Sequence, residues 1–301
     1  MRTVYLGTSE FAAIVLEALA ASAHRPALVI TRPDRPRGRG RRLQSPPVAE
    51  RARALGLQLR QPATVNDDEG RAAIAAAAPE TVVVCAFGAM IREPLLSEHL
   101  MLNVHPSLLP RWRGAAPVER AIIAGDERTG ATIMRVTAEL DSGPVALAAE
   151  EPIGAQDTYG TLSVRLAALG AGLLLQALDA GPAQLTFTEQ DGTAATYADK
   201  ITAEDRLLDP AATAQACERR VRALTPHIGA AVLTADGERL GVLAATARAR
   251  RGGDPTAGEL AFTADEVLLG CGEQTTLALD VVQPPGRRAM DAAAFLRGRR
   301  S

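Results

Sequence analysis

The sequence predicts an α/β fold: a Rossmann-like, mostly parallel sheet with helices on both faces, followed by a smaller β-barrel. Short apolar runs alternate with stretches of helical spacing through the first half, which implies right-handed crossovers and a sheet covered on both sides. The last third breaks instead into short runs separated by Gly, Asp and Pro turns, the pattern of a small barrel. With 301 residues, 47% of them hydrophobic, the chain can bury a core in each of two domains.

Taken in order, "TVYLG" reads as a short buried strand, and "SEFAAIVLEALAAS" as a helix with Ser9 as its N-cap. "PALVIT" is a second strand. After an arginine-rich loop, "PVAERARALG" reads as a helix ending at Gly56, "LQLRQP" as a strand and "EGRAAIAAAA" as a helix. "ETVVVCAFGAMI" and "LMLNVHP" supply two further strands, "ATIMRVT" another, and "DTYGTLSVRLAALGAGLLLQALDAG" a long closing helix in which Gly170 and Gly172 allow close packing. The first domain therefore spans 1–186, a polar, weakly periodic linker 187–205, and the last domain 206–301. In that last part "AATAQACERRVRAL" is a helix, and "AAVLT", "ERLGVLAATA", "GELAFT", "EVLLGC" and "TLALDVVQP" are strands.

Composition narrows the function. The first strand-to-helix turn, "LGTSEF", lacks the G-x-G-x-x-G that a dinucleotide pyrophosphate needs for close backbone approach, so a nicotinamide cofactor is not indicated. No basic leader follows Met1 and no apolar run reaches the roughly 20 residues that span a bilayer, which predicts a cytoplasmic protein with no membrane partner. Cys85, Cys217 and Cys271 are far apart in sequence, and their expected role is small and buried. Net charge is −2, yet "TRPDRPRGRGRRL" holds six arginines against one aspartate, a local positive field suited to a polyanion. Pro33, Pro36, Gly38 and Gly40 are expected to prevent regular helix and sheet there, leaving the guanidinium groups on an irregular loop.

Asn103 and His105 interrupt an apolar strand in a chain with four histidines. Two residues apart on extended backbone, they share one face, and the strand end places that face where open α/β sheets bind ligands. Asp141, in the turn-rich "ELDSGPV", is the carboxylate best placed to orient the imidazole. Spacing alone leaves a structural alternative open: Asn103 capping a turn, His105 bonded to backbone, and Asp141 as a turn residue. Trp112, between Arg111 and Arg113, either stacks on a flat ring or anchors the loop in apolar surface. His24, His99 and His227 read as surface or structural residues.

From "NVHPSLLPRWRGAAPVERAI" through "AGDERTGATIMRV" to "LDSG", the chain closely resembles the methionyl-tRNA formyltransferases; the Asn-x-His pair, the Ser-Leu-Leu-Pro loop and the Leu-Asp-Ser-Gly turn are shared with a wider class of folate-dependent formyltransferases. The resemblance implies 10-formyltetrahydrofolate as formyl donor, the α-amine of initiator methionyl-tRNA as acceptor, and direct transfer with neither an acyl-enzyme nor a metal. It implies an OB-like, tRNA-binding barrel for the C-terminal domain. It assigns oxyanion stabilisation to Asn103, proton movement to His105, and orientation and charge stabilisation of His105 to Asp141. The folate pocket is expected beside Ser107, Leu108, Leu109 and Pro110, with backbone contacts from Phe87, Gly88, Met90 and Ile91. "RPDRPRGRGRRL" resembles the family's acceptor-arm loop, which implies tRNA contacts by Arg35, Arg37, Arg39, Arg41 and Arg42. A monomer suffices for all of this.

Thr137, Glu139 and Pro144 around Asp141, and Pro210 in "LLDP", depart from the family's usual residues. The rival readings are a formyltransferase with another acceptor, such as a sugar amine, a hydrolase releasing formate from the same folate, and an RNA-binding protein on an inactive scaffold.

Overall fold

The computed structural model describes residues 1–37 and 42–300. The chain forms two compact units: Met1–Pro117, Arg128–Pro152 and Ser163–Ala198 make the first, and Val118–Glu127, Ile153–Leu162 and Asp199–Ser301 the second. Residues 187–198, expected as the first part of a linker, belong to the first unit.

Up to Ala198 the elements are β1 (Thr3–Gly7), α1 (Glu10–Ala20), β2 (Pro26–Ile30), β3 (Arg35–Arg37), β4 (Arg42–Gln44), α2 (Pro47–Ala54), β5 (Leu59–Arg60), α3 (Asp68–Ala76), β6 (Thr81–Cys85), α4 (Leu95–Glu98), β7 (Met101–His105), β8 (Arg113–Gly114), α5 (Pro117–Ala124), β9 (Arg128–Arg135), β10 (Val145–Pro152), α6 (Tyr159–Ala180) and β11 (Tyr197–Ala198). The central seven-stranded sheet has the order β10-β9-β7-β6-β1-β2-β5. Its strands β5, β2, β1, β6 and β7 are parallel, and β9 and β10 close it antiparallel.

Local signals account for these elements. Ser9 caps α1 by accepting from the Ala12 N–H, and Asp67 caps α3 by accepting from Gly70. Gly56 ends α2 region at φ +63, a conformation that suits glycine. Val4, Leu6, Ile30, Val82, Val84 and Met101 meet Ile74, Leu95 and Phe87 in one core cluster. On β7, the Met101 face continues through Asn103 to His105, while Val104 faces α6.

The helix α6 brings Gly170 against β7: a Cβ there would lie 2.6 Å from Val104 Cγ1 and 3.5 Å from the Ala131 methyl. Gly172 faces open space, so only one of the two expected packing glycines packs. α6 also corrects the reading that no segment is long and apolar enough to cross a bilayer: within its 22 residues an 18-residue stretch reaches a mean hydropathy of 1.5 and is half buried, as the core helix of a soluble domain also can be.

The arginine-rich segment is not wholly irregular. β3 and β4 pair antiparallel, with Pro36 opposite Leu43, because in a two-stranded ribbon both strands are edges and a missing proline N–H can face outward.

After Ala198 come α7 (Ala214–Leu224), β12 (Ala230–Leu233), β13 (Arg239–Ala249), β14 (Leu260–Phe262), β15 (Val267–Cys271), β16 (Thr275–Gln283), β17 (Met290–Asp291) and α8 (Ala292–Arg300). The strands form one antiparallel sheet in the order β12-β13-β16-β15-β14, with β17 on β16. Leu233 of β12 and Leu260 to Phe262 of β14, at its two edges, line one cleft, so the sheet curls as a barrel does. α7, capped by Thr213, lays Ala214, Cys217, Val221 and Leu224 into its core beside Val242, Leu277 and Leu279. All three cysteines are buried, and Cys217 and Cys271 interact there, which pushes the Cys271 thiol up. His227 is structural: it pairs with Glu119 at 2.9 Å and stacks on Tyr159, whose hydroxyl is pushed up to about 12 by burial and the Glu119 charge.

Gly170 and Gly172 of α6 separate packing from propensity. Gly170→Ala should lower unfolding free energy by about 1–3 kcal/mol through overpacking against Val104. Gly172→Ala should raise it by roughly 0.5–1 kcal/mol, the helix-propensity difference. Urea unfolding of both variants beside the parent measures the contrast.

Candidate active site

Asn103 and His105 lie on β7, hydrogen-bonded on one side to parallel β6 and on the other to antiparallel β9, where Asn103 is opposite Met134 and His105 opposite Thr132. Asn103 is half-buried and His105 is 4% exposed. Beyond the end of the strand the backbone turns at once, with the Ser107 N–H donating to the His105 carbonyl at 3.0 Å.

Both nitrogens of the His105 ring face a defined group. Nε2 is 2.9 Å from the Trp112 carbonyl oxygen, and because a carbonyl only accepts, Nε2 carries the proton. Nδ1 is 3.7 Å from Asp141 Oδ2, beyond hydrogen-bond length but within ion-pair range. A proton on Nδ1 would point at that carboxylate. The structure therefore brings His105 and Asp141 together and sets Asn103 on the same face of β7 as His105.

Asp141 gets there by an indirect route. Because β9 runs antiparallel to β7, its last residue, Arg135, pairs with Leu102, at the end of β7 away from His105. The loop after β9 must double back along the sheet, and Asp141 sits in it at φ +46. The Gly114 N–H donates to Asp141 Oδ2 at 2.8 Å, fixing the carboxylate. Thr137, Glu139 and Ser142 bond to one another within the loop, and the Pro144 carbonyl accepts from the Arg135 N–H, so the unusual residues Thr137, Glu139 and Pro144 form a closed turn.

The loop after His105 is equally fixed. Ser107 is fully buried, its hydroxyl donating to the Arg111 carbonyl at 2.6 Å, so it shapes the loop from within. Thr132, opposite His105, donates to the Ser107 carbonyl at 2.6 Å and accepts from the Leu109 N–H at 3.3 Å. Leu108 lies against Gly130, and the Pro110 carbonyl accepts from the Thr196 N–H at 3.2 Å. In the neighbouring strand-end segment, Phe87 and Ile91 bury their side chains in the core and offer backbone. The Phe87 carbonyl accepts from the Thr8 hydroxyl at 2.8 Å, Gly88 is at φ +71, and Met90 is 53% exposed.

The two arginines flanking Trp112 diverge. Arg111 is exposed and lies over the indole at 4.4 Å, while Arg113 is 7% exposed and turns inward.

In the basic hairpin Arg35 is exposed, Arg37 and Arg42 face each other in the strand register, and Arg39 and Arg41 lie outside the described residues. Its base is tied by the single aspartate: Asp34 accepts from Gln61 Nε2 at 2.7 Å and from the Ser45 hydroxyl at 2.9 Å. Those bonds, with the nearby Arg53, hold the Asp34 carboxyl below its ordinary value. Arg53 completes the knot by donating to both Ser45 and Gln61 at 2.9 Å.

Sequence reasoning missed the residues that hold the site: Thr132, Gly114, Thr196 and Gln190. Thr132 did carry a signal, a polar residue within the apolar "ATIMRV". Thr196, whose hydroxyl accepts from the Trp112 N–H at 2.9 Å, and Gln190 lie in the polar stretch read as linker.

The family model for formyl transferase matches residues 1–178, and that for the formyl transferase C-terminal domain matches residues 200–300. A methionyl-tRNA formyltransferase of Ruegeria pomeroyi is 42% identical over 300 residues, 99% of this chain and 97% of its own length. One of a Nocardioides species is 44% identical over 306 residues, 100% of this chain and 96% of its own. Among solved structures, an N-formyltransferase from Helicobacter canadensis in complex with folinic acid and dTDP-3-aminofucose superposes with a TM-score of 0.67 at 12% identity, covering 92% of this chain and 98% of its own, a likeness of fold.

The Thr132 hydroxyl yields a test of how the loop is held. Thr132→Val keeps shape but removes both hydrogen bonds, leaving the Ser107 carbonyl unsatisfied, and should cost about 1–3 kcal/mol. Hydrogen exchange at the Leu109 amide should accelerate more than exchange in β1 or β6.

Proposed function

The chain belongs to the formyl transferase family, and on that premise we propose that it transfers the formyl group of 10-formyltetrahydrofolate to the α-amine of initiator methionyl-tRNA. The observation that carries the reading is identity above 40% maintained over nearly the whole length of relatives bearing that activity's name, C-terminal sheet included.

The geometry supplies a route for the chemistry. The amine attacks the formyl carbon, the carbonyl oxygen gains negative charge, and the bond to the folate nitrogen then breaks as that nitrogen takes up a proton. The Asn103 amide, on the His105 face of β7, donates to the developing oxyanion. His105 assists the movement of the proton from the attacking amine to the folate nitrogen. Asp141, across from Nδ1, steadies the imidazole while it carries that proton. The loop Ser107, Leu108, Leu109 and Pro110, with backbone from Phe87, Gly88, Met90 and Ile91, frames the donor. Arg35, Arg37, Arg39, Arg41 and Arg42 engage tRNA phosphates, and the C-terminal unit adds tRNA contacts. The setting is translation initiation in the cytoplasm, with the chain acting as a monomer.

Incubation with labelled 10-formyltetrahydrofolate and charged initiator tRNA should yield formylmethionyl-tRNA, and charged elongator methionine tRNA should be a poor acceptor. Label moving instead to a nucleotide-linked sugar amine, or appearing as formate without an acceptor, would overturn the reading. His105→Ala should lower the transfer rate by about 10²–10⁴-fold while tRNA binding stays near the parent's. Arg35→Ala should weaken tRNA binding and reduce the slope of log affinity against log salt by roughly 1, with donor binding unchanged. A salt slope equal to the parent's would remove Arg35 from the tRNA interface.

A further inference from the structure

We infer that Gln190 is a positioning residue for formyl transfer: it holds the Asp141 loop against His105 and is itself held by the buried Arg113 guanidinium. The inference rests on the formyl-transfer reading above, and deepens it by a residue that touches neither substrate.

Gln190 uses its amide fully. Nε2 donates to the Asp141 carbonyl at 2.9 Å and to the Gly143 carbonyl at 2.7 Å. Oε1 accepts from Arg113 Nε at 3.0 Å and from Arg113 NH2 at 2.8 Å. A primary amide has two donor hydrogens and two acceptor lone pairs, and all four are engaged. The orientation of the amide is forced, since carbonyls only accept and a guanidinium only donates.

The Asp141 loop needs such a clamp. It doubles back from the far end of β7, and it carries Asp141 in the left-handed region at φ +46, which disfavours residues other than glycine. At Gly143 the loop presses so closely on β9 that a Cβ would meet the Arg135 carbonyl at 1.9 Å. Gln190 bonds the carbonyls on both sides of Ser142, while Gly114 fixes the Asp141 carboxylate. Arg113 is anchored in turn: it pairs with Tyr197 in the parallel β8–β11 ladder, and its N–H donates to the Thr196 carbonyl at 2.9 Å.

The chemistry of the contact singles out glutamine. A glutamate would pair with Arg113 equally well but has no hydrogen to give the two carbonyls. An asparagine offers the same groups on a stem one methylene shorter. Gln190→Glu therefore separates the two roles, satisfying a buried cation and holding a catalytic loop.

The test compares the parent with Gln190→Glu, Gln190→Ala, Asp141→Asn and the double variant Gln190→Ala/Asp141→Asn, measuring kcat and KM for both substrates together with Tm. Gln190→Glu and Gln190→Ala are expected to lower kcat by about 10–100-fold with KM nearly unchanged, the signature of a misplaced catalytic group. Because Gln190 acts through Asp141, the double variant should be little slower than Asp141→Asn alone. Parent-like kcat in Gln190→Glu, a loss in KM alone, or losses that multiply in the double variant would each overturn the inference; if Gln190→Ala fails to fold, Gln190→Glu alone decides it. A parent that does not formylate charged initiator tRNA would instead overturn the functional reading.

Discussion

The His105 imidazole is held by two groups on separate loops, the Trp112 carbonyl at Nε2 and the Asp141 carboxylate opposite Nδ1, and much of the first unit serves that placement. Trp112 at φ +64 and Asp141 at φ +46 are both non-glycine residues in the left-handed region. Such a conformation costs an L-residue on the order of 1–2 kcal/mol, whereas one hydrogen bond contributes about 1 kcal/mol net. A single bond at each loop would leave the arrangement near balance. Each has several: Thr196 accepts from Trp112 and bonds the backbone of Pro110 and Arg113 on either side, while Gly114 and Gln190 grip Asp141 at its carboxylate and its carbonyl.

That arrangement follows from the sheet order. Parallel strands β1, β6 and β7 deliver their C-terminal ends to one edge, where the Thr8 hydroxyl ties the β1 end to Phe87 beyond β6. Reversal of direction at β9 has two opposite effects. It sets Thr132 directly across from His105, where one hydroxyl closes the Ser107 to Leu109 loop. It also sends the chain away from His105 before Asp141 has been reached, so the Asp141 carboxylate arrives on a returning loop instead of a strand end.

These facts explain what was legible in the sequence. Asn103 and His105 could be placed on one face because extended backbone repeats every two residues, and Ser9 could be named as a cap from its position before an apolar helical run. An apolar run such as "ATIMRV" carries no mark of direction, so the antiparallel course of β9, and with it the route to Asp141, was hidden. Gln190 and Thr196 lay in a stretch without periodicity, and their roles depend on partners distant in sequence: Arg113, Asp141 and Trp112. Polar, weakly periodic sequence describes a linker and a segment bonded to distant loops equally well. Only the partners distinguish them.

The same reasoning applies to the arginines. Sequence counts Arg35, Arg111 and Arg113 alike, but a guanidinium attracts a polyanion only where its charge is not already answered and water can be displaced from it. Arg113 is buried and its side chain bonds to a neutral amide, so it serves the loop that holds Asp141. Arg35 is exposed on a hairpin whose one carboxylate, Asp34, is engaged by Ser45 and Gln61 at the base. Screening over about 8 Å at physiological ionic strength confines the influence of each charge to its surroundings. Asp34 therefore shapes the base of the hairpin, while Arg113 is committed to the loop that holds Asp141 and Arg35 is left exposed.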